Sequence, residues 1–259
     1  MTAVSNATAV SNVNGEPSLN AEPSLNAEPT VSAAPTGKPT SGLAVLLDLD
    51  GTLVDTNYHH AIAWFRAFRE HGIVLPVWRL HRHIGMGGGQ LVAAVAGERA
   101  EREHGDAVRE AHGRHFHQLI DEVELMADAR TLVRVLHDRG AAVVLASSSN
   151  EADLEHFRSV LDVDELLAGA TSSADVERAK PSPDIICAAL EKVPDAERSV
   201  LIGDSTWDCE AARRAGVASV ALLTGGFSEQ ELREAGAAAV FASIGDLLDH
   251  IDRTPLAEK

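Results

Sequence analysis

The segment Asp48-Leu49-Asp50-Gly51-Thr52 places two carboxylates two residues apart, directly after the apolar run Leu43–Leu47. Such a pair can divide chemical labour: one carboxylate acts as a nucleophile while its neighbour, in an unlike environment, moves protons. Gly51 lets the chain turn sharply there. Asp and Gly are also ordinary turn residues, so a capped turn is the competing reading of this segment taken alone. Other polar residues follow apolar runs in the same way. Ser147, Ser148, Ser149 and Asn150 follow Ala142–Ala146, and Gly203-Asp204 follows residues 199–202, with Asp208 four positions on. Lys180 stands in a proline-flanked stretch, Ala179-Lys180-Pro181-Ser182-Pro183-Asp184.

These residues need a frame, and the spacing supplies one. Leu43–Leu47, Ala142–Ala146, 199–202 and 217–223 read as buried strands, and 169–172 as a weaker one. Between them lie helical patterns: 127–139, stopped by Gly140; Glu151–Leu161; a helix capped by Ser182 with Pro183 first, running to about Lys192; one from about Trp207 to Gly216; and 244–251. Strands that are continuous apolar runs, alternating with helices, describe a doubly wound parallel α/β sheet covered on both faces. The carboxyl edge of such a sheet is where ligands bind, and Asp48, Ser147 and Asp204 all fall there. The alternation breaks once. About 70 residues after the first strand carry helical patterning and no clear strand, which reads as an inserted helical lid rather than a connection.

Four separated motifs, in order, resemble the haloacid dehalogenase (HAD) superfamily, in its capped branch similar to phosphoglycolate phosphatase and β-phosphoglucomutase. They are Asp48 to Thr52, Ser147 after the second apolar strand, Lys180 ahead of Pro181, and the acidic stretch Gly203-Asp204-Ser205-Thr206-Trp207-Asp208, followed by Ala211-Ala212-Arg213-Arg214-Ala215-Gly216. The resemblance covers residues 43–251. It implies a Rossmann-like core over 42–56 and 127–259 with an α-helical cap over 57–126. Asp48 would attack phosphorus and form an aspartyl-phosphate, and Asp50 would protonate the leaving oxygen and then activate water. Ser147 would donate to a phosphoryl oxygen, and Lys180 would neutralise charge on Asp48 and the transferring group. Mg²⁺ would lie between Asp48 and Asp204 with the Asp50 carbonyl as a further ligand. Asp208 would either ligate through water or hold Lys180. Thr52, Ser148, Asn150 and His60 are the expected substrate-binding residues. His60 resembles the hinge histidine of β-phosphoglucomutase and its relatives, with a hinge residue that merely packs as the alternative.

An Asp at position 50 favours phosphate-ester chemistry, since an alkoxide leaving group wants an acid beside it. The expected activity is therefore Mg²⁺-dependent hydrolysis of a small phosphorylated metabolite, phosphoglycolate- or sugar-phosphate-like. The alternatives are a sugar-phosphate mutase and, further off, a non-catalytic binding protein on the same fold. The mutases resembled here carry an Arg in the cap loop where this chain has Gly87, Gly88 and Gly89.

The lid carries weaker signals. The tract Gly85-Met86-Gly87-Gly88-Gly89 fits no nucleotide-binding template and reads as a cap loop reaching the site, or as a plain turn between helices. The stretch Trp78-Arg79-Leu80-His81-Arg82-His83 either draws in an anionic substrate or is a solvated basic face. His112 and His115 share a helix face but His117 lies about 140° from His112, so polar helix surface is a better reading than a zinc site.

Composition sets the outer limits. Against 22 basic residues stand 39 acidic ones, a net charge of −17, which opposes binding to nucleic acid or to an anionic membrane. Residues 57–127 are nearly neutral, with eight arginines against nine acids, and hold nine of the 12 histidines. Cys187 and Cys209 form no disulfide framework, a usage that fits a reducing cytoplasm. Residues 1–41 repeat Asn-Ala-Glu-Pro, hold no aromatic residue, and lack both the basic start and the apolar centre of a signal peptide. They are expected to be a disordered tail.

Overall fold

A computed structural model describes residues 42–257. The expectation for residues 1–41 lies outside the described residues.

Six strands form one parallel sheet: β1 (Leu43–Leu47), β2 (Ala142–Ala146), β3 (Leu167–Thr171), β4 (Arg198–Gly203), β5 (Ala218–Leu222) and β6 (Ala237–Phe241), in the spatial order β3-β2-β1-β4-β5-β6. Register is set by apolar runs of matching length. Leu46 sits opposite Val144 on one side and Leu201 on the other. Because helices cover both faces, every residue of β1 and β2 is buried, which is why these strands show no alternation in sequence. Leu43, Val45 and Leu47 pack with α5 (Ala129–Asp138), α6 (Glu151–Leu161) and α10 (Ile244–His250). Leu46, Val144 and Leu201 face the other way, onto α7 (Asp184–Glu191) and α8 (Thr206–Ala215). Chain order reverses between β1 and β4, so the crevice of this open sheet opens beyond their carboxyl ends.

The insertion is helical throughout: α1 (Asn57–Glu70), α2 (Val77–His81), α3 (Gly88–Ala96) and α4 (Glu98–His117). It has an apolar cluster of its own. Ala61, Trp64, Ala67 and Phe68 recur on one face of α1 and meet Leu80, Leu91, Val92, Val95, Val108 and Ala111. The chain enters and leaves this layer side by side. The Asp55 N–H donates to the Glu124 carbonyl at 2.9 Å, and the Met126 N–H donates to the Leu53 carbonyl at 2.9 Å. Two adjacent strands of backbone thus join the cap to the sheet.

Three details depart from the sequence reading. The cap of α7 is Pro183, not Ser182, whose hydroxyl instead donates to the Asp184 carboxylate at 2.6 Å. β3 begins two residues earlier than expected. A further helix, α9 (Glu229–Ala235), and β6 follow β5; the alanine-rich run Ala237-Ala238-Ala239 gives little strand signal, and β6 is a half-exposed edge strand. No helix among the described residues is long and apolar enough to cross a membrane.

Candidate active site

The carboxyl ends of β1 and β4 deliver Asp48 and Asp204 to the same crevice, and the loop after β3 delivers Lys180. Lys180 is almost wholly buried, at 1% exposure, and a buried ammonium must be paired. Its Nζ donates to Asp48 Oδ1 and lies 2.7 Å from Asp208 Oδ1. Asp208 reaches it from the first turn of α8, where its other oxygen accepts the Ser205 N–H at 3.1 Å in a capping box. One helix cap therefore fixes the carboxylate that holds the lysine. Of the two roles open to Asp208, this geometry is that of a lysine partner.

Asp204 is held from the other side. Its Oδ1 accepts from the Thr52 hydroxyl at 3.2 Å, and its Oδ2 from the Asn57 amide at 2.7 Å. Gly51 makes this approach possible: its φ is +77°, and a Cβ there would collide with the Asn57 amide and the Asp204 carboxylate. Thr52 is fully buried, its hydroxyl turned to Asp204 rather than into the cavity.

The carboxylate oxygens of Asp48, Asp204 and Asp208 lie within 4.8 Å of one another. Three buried acids share one ammonium, and the electrostatics record the excess. Burial, with the neighbouring charge of Asp208, pushes Asp48 well above the usual carboxylate range, and the same two causes raise Asp204 to about 7. Lys180 is driven upward instead: its burial opposes the charge, but Asp208 and Asp48 outweigh it. An all-oxygen donor set with surplus negative charge fits a hard divalent cation.

Asp50 has a different environment. Its Oδ1 accepts from the Thr56 hydroxyl at 2.8 Å and faces His60 Nε2 at 3.3 Å, and its Oδ2 accepts from the Ser149 hydroxyl at 2.5 Å. Burial alone would raise its pKa, but the hydrogen bond and charge of His60, with Ser149 and Thr56, bring it down to about 2. His60 Nδ1 in turn meets His112 Nε2 at 3.2 Å, and the His60 ring stacks on Phe116 at 3.9 Å. His112 lies flat against Trp64 at 4.0 Å, and burial, then the charge of His60, holds it well below the usual imidazole range.

Over these groups lies a cavity of about 330 Å³, lined by Asp48, Asp50, Lys180 and Ser148–Asn150 below and by residues of the helical layer above. His60 lines it, and so does the glycine tract 85–89. Gly85 has φ +88°, and a Cβ on it would lie 2.7 Å from Ser205 Oγ; a Cβ on Gly87 would strike Ala179. Gly85 and Gly87 leave no room for a side chain because their backbone lies against the core, where the Gln90 amide also donates to the Ala179 carbonyl at 3.1 Å. Ser147 sits one residue deeper than the wall; its oxygen accepts the Ser149 N–H at 3.1 Å, which leaves its O–H free to donate. Asn150 caps α6, accepting from the Asp153 N–H at 3.0 Å.

The basic stretch before the glycines does not line this cavity. Arg82 pairs with Glu231 and lies 4.1 Å above the Phe227 ring, so the stretch joins cap to core, while His81 stacks on Tyr58 of α1 at 4.7 Å. His112, His115 and His117 diverge, His115 to Glu70 and His117 to Asp153. Asn57, Thr56 and Ser149 carry no role in the sequence reading, although they sit within a few residues of the motifs they serve. Trp64, Arg109 and His112 reach the cavity only through the packing of α1 on α4.

The profile of one protein family, described as haloacid dehalogenase-like hydrolase, matches residues 43–216. A phosphoglycolate phosphatase from Rhodospirillum rubrum is 28% identical over 218 residues, 79% of this chain and 90% of that protein. A validoxylamine A 7'-phosphate phosphatase from Streptomyces hygroscopicus is 26% identical over 194 residues, 69% of this chain and 84% of that one. Among solved structures, a hydrolase from Pseudomonas syringae superposes with a TM-score of 0.76 at 32% identity, covering 82% of this chain and 98% of its own.

Proposed function

Since this chain belongs to the haloacid dehalogenase-like hydrolases, we propose that it is a Mg²⁺-dependent phosphatase acting on a small phosphorylated metabolite through an aspartyl-phosphate on Asp48. The observation that carries this reading is the floor of the cavity, where Lys180 is buried against Asp48 and Asp208 with Asp204 beside them. Asp48 and Asp204, with the Asp50 carbonyl, would hold the ion, which when bound offsets the negative charge of these acids and of the phosphoryl oxygens.

The chain's own residues then divide the work. Asp48 attacks phosphorus with a carboxylate oxygen, and the bond from phosphorus to the ester oxygen breaks. Asp50 gives that oxygen a proton, so the product leaves as an alcohol. In the second half Asp50 takes a proton from water, whose oxygen attacks the same phosphorus and releases phosphate, restoring Asp48. The hydrogen bonds from His60, Ser149 and Thr56 favour the ionised form of Asp50, the form this second role needs. His60 Nε2, 3.3 Å from the Asp50 carboxylate, is the ring placed to pass Asp50 a proton before the first half and to take it back after the second. Lys180 holds Asp48 oriented and screens the developing charge. Ser147, Ser148 and Asn150 would meet phosphoryl oxygens, while Thr52 acts through Asp204. Residues 57–126 serve as the cap that excludes water and selects the substrate over a core of 42–56 and 127–259.

The test is phosphate release from a panel of phosphorylated metabolites with Mg²⁺ and with EDTA. Release with Mg²⁺ that disappears in EDTA is expected. Undiminished release in EDTA would remove the metal from the reading, and no release from any member would remove the phosphatase.

A further inference from the structure

The floor of the cavity handles the phosphoryl group, so the roof must meet the alcohol half of the substrate. That roof is Trp64, Ile84, Met86, Leu91, Arg109 and His112, together with glycine backbone. Arg109 is the only arginine or lysine that the helical layer brings to the cavity wall among the described residues. It is already engaged. Its Nη1 and Nη2 donate to the two oxygens of Glu101 at 3.1 and 2.8 Å, and Nη2 donates to Asp106 at 2.8 Å. A guanidinium fork on a carboxylate is the strongest pairing arginine makes, and it is the one a substrate carboxylate or second phosphate would need.

The pairing depends on a feature of α4. Glu101 and Arg109 are eight residues apart, two helical turns, and Gly105 lies midway on the same face. A Cβ on Gly105 would fall 2.6 Å from Glu101 Oε1 and 2.8 Å from Arg109 Nη2. The missing side chain opens the path along which the pair closes. The remaining charges on the wall are committed too. Lys180 serves Asp48 and Asp208, and Asp153 accepts from the Asn150 amide at 2.7 Å and faces His117 at 2.8 Å. His112 is half-buried, flat against Trp64, with its Nε2 turned to His60.

We propose that this cavity selects phosphate monoesters whose alcohol half carries no further negative charge, with Glu101 as the residue that sets the preference by occupying Arg109. The proposal rests on the phosphatase reading above. It favours a sugar- or polyol-like leaving group over a carboxylate-bearing one, and a monophosphate over a bisphosphate.

The experiment measures kcat/KM on the full chain with Mg²⁺ for size-matched pairs: glycerol phosphate against phosphoglycerate, and a hexose monophosphate against the hexose bisphosphate. The uncharged-tail member of each pair is expected to win by about tenfold or more, the scale of one charge-assisted hydrogen bond the anionic tail fails to make. Glu101→Gln removes the charged fork and leaves Arg109 only the fully exposed Asp106, and the ratio should then move about tenfold toward the anionic member. Equal or better turnover of the anionic members by the unaltered protein overturns the proposal while leaving the phosphatase standing. A Glu101→Gln ratio that does not move, in a protein with an unchanged melting temperature, overturns the role of Glu101. Turnover of neither member of any pair overturns the phosphatase reading and this proposal with it.

Discussion

The sheet end and the helical cap contribute to one cavity by different physical means. At the sheet end, strand termini place charged groups against each other in a dry interior: Lys180 against two aspartates, Asp204 against Thr52 and Asn57. Every group there is fixed by a charged or hydrogen-bonded partner from another element. In the cap, rings and backbone do the work. Trp64, His112, His60 and Phe116 form a stack, Gly85 and Gly87 lie against the core, and Arg109, the cap arginine on the cavity wall, is neutralised within its own helix. The first arrangement suits a reaction in which charge moves, because its dipoles are fixed in advance. The second suits discrimination of shape and charge in whatever is attached to the phosphate. On the proposed reading the same contrast lets a chain of net charge −17 receive an anion, because a cation held by the acids at the floor would offset their surplus charge.

The largest effect should come from breaking the floor. Lys180→Met leaves Asp48 and Asp208 buried without their cation, a loss of about 3–5 kcal/mol of folding stability by comparison with other broken buried pairs. Chemical denaturation in EDTA measures it. A loss below about 1 kcal/mol, the level of an exposed ion pair, would mean the floor is wetter than its burial implies.

Phe68→Ala tests whether the cap stands on its own apolar cluster. Removing this fully buried ring costs about 3–5 kcal/mol locally. Hydrogen exchange should accelerate in α1 and α4 while the amides of β1 keep their protection. Equal loss of protection in β1 would make cap and sheet one cooperative unit and dissolve the distinction drawn between them.

Gly85→Ala has a smaller expected effect. The added methyl meets Ser205 at a positive φ, so the cap should seat less closely on the core. A drop of about tenfold in turnover, roughly 1.4 kcal/mol, is expected with little change in melting temperature. Unchanged turnover would show that close seating of this loop does not matter.

The two regions also differed in how far they could be read from sequence. At the sheet end the signal is local: an apolar run, then an acid or a hydroxyl, repeated at Asp48, Ser147 and Asp204. Those residues come together because parallel strands all end on the same edge. The sixth strand escaped because Ala237-Ala238-Ala239 has too little side chain to carry a pattern. In the cap the signal is relational. A glycine tract is informative only through what a side chain would strike, and Ser205 and Ala179 lie far away in sequence. The Glu101–Arg109 pair spans eight residues, beyond the three- or four-residue spacing in which helix ion pairs are usually sought. The clustered histidines read as polar helix surface, yet each has a separate partner: His112 the Trp64 ring, His115 Glu70 on α1 and His117 Asp153 on α6.

The central claim is that Asp48 takes the phosphoryl group while the cap only chooses what it came from. Acid-quenched turnover followed by peptide mass spectrometry tests it most directly. The account predicts a phosphoryl adduct on the peptide containing Asp48, formed with any substrate that is turned over, and no adduct and no turnover in Asp48→Asn. Continued turnover by Asp48→Asn, or an adduct on another residue, would contradict it.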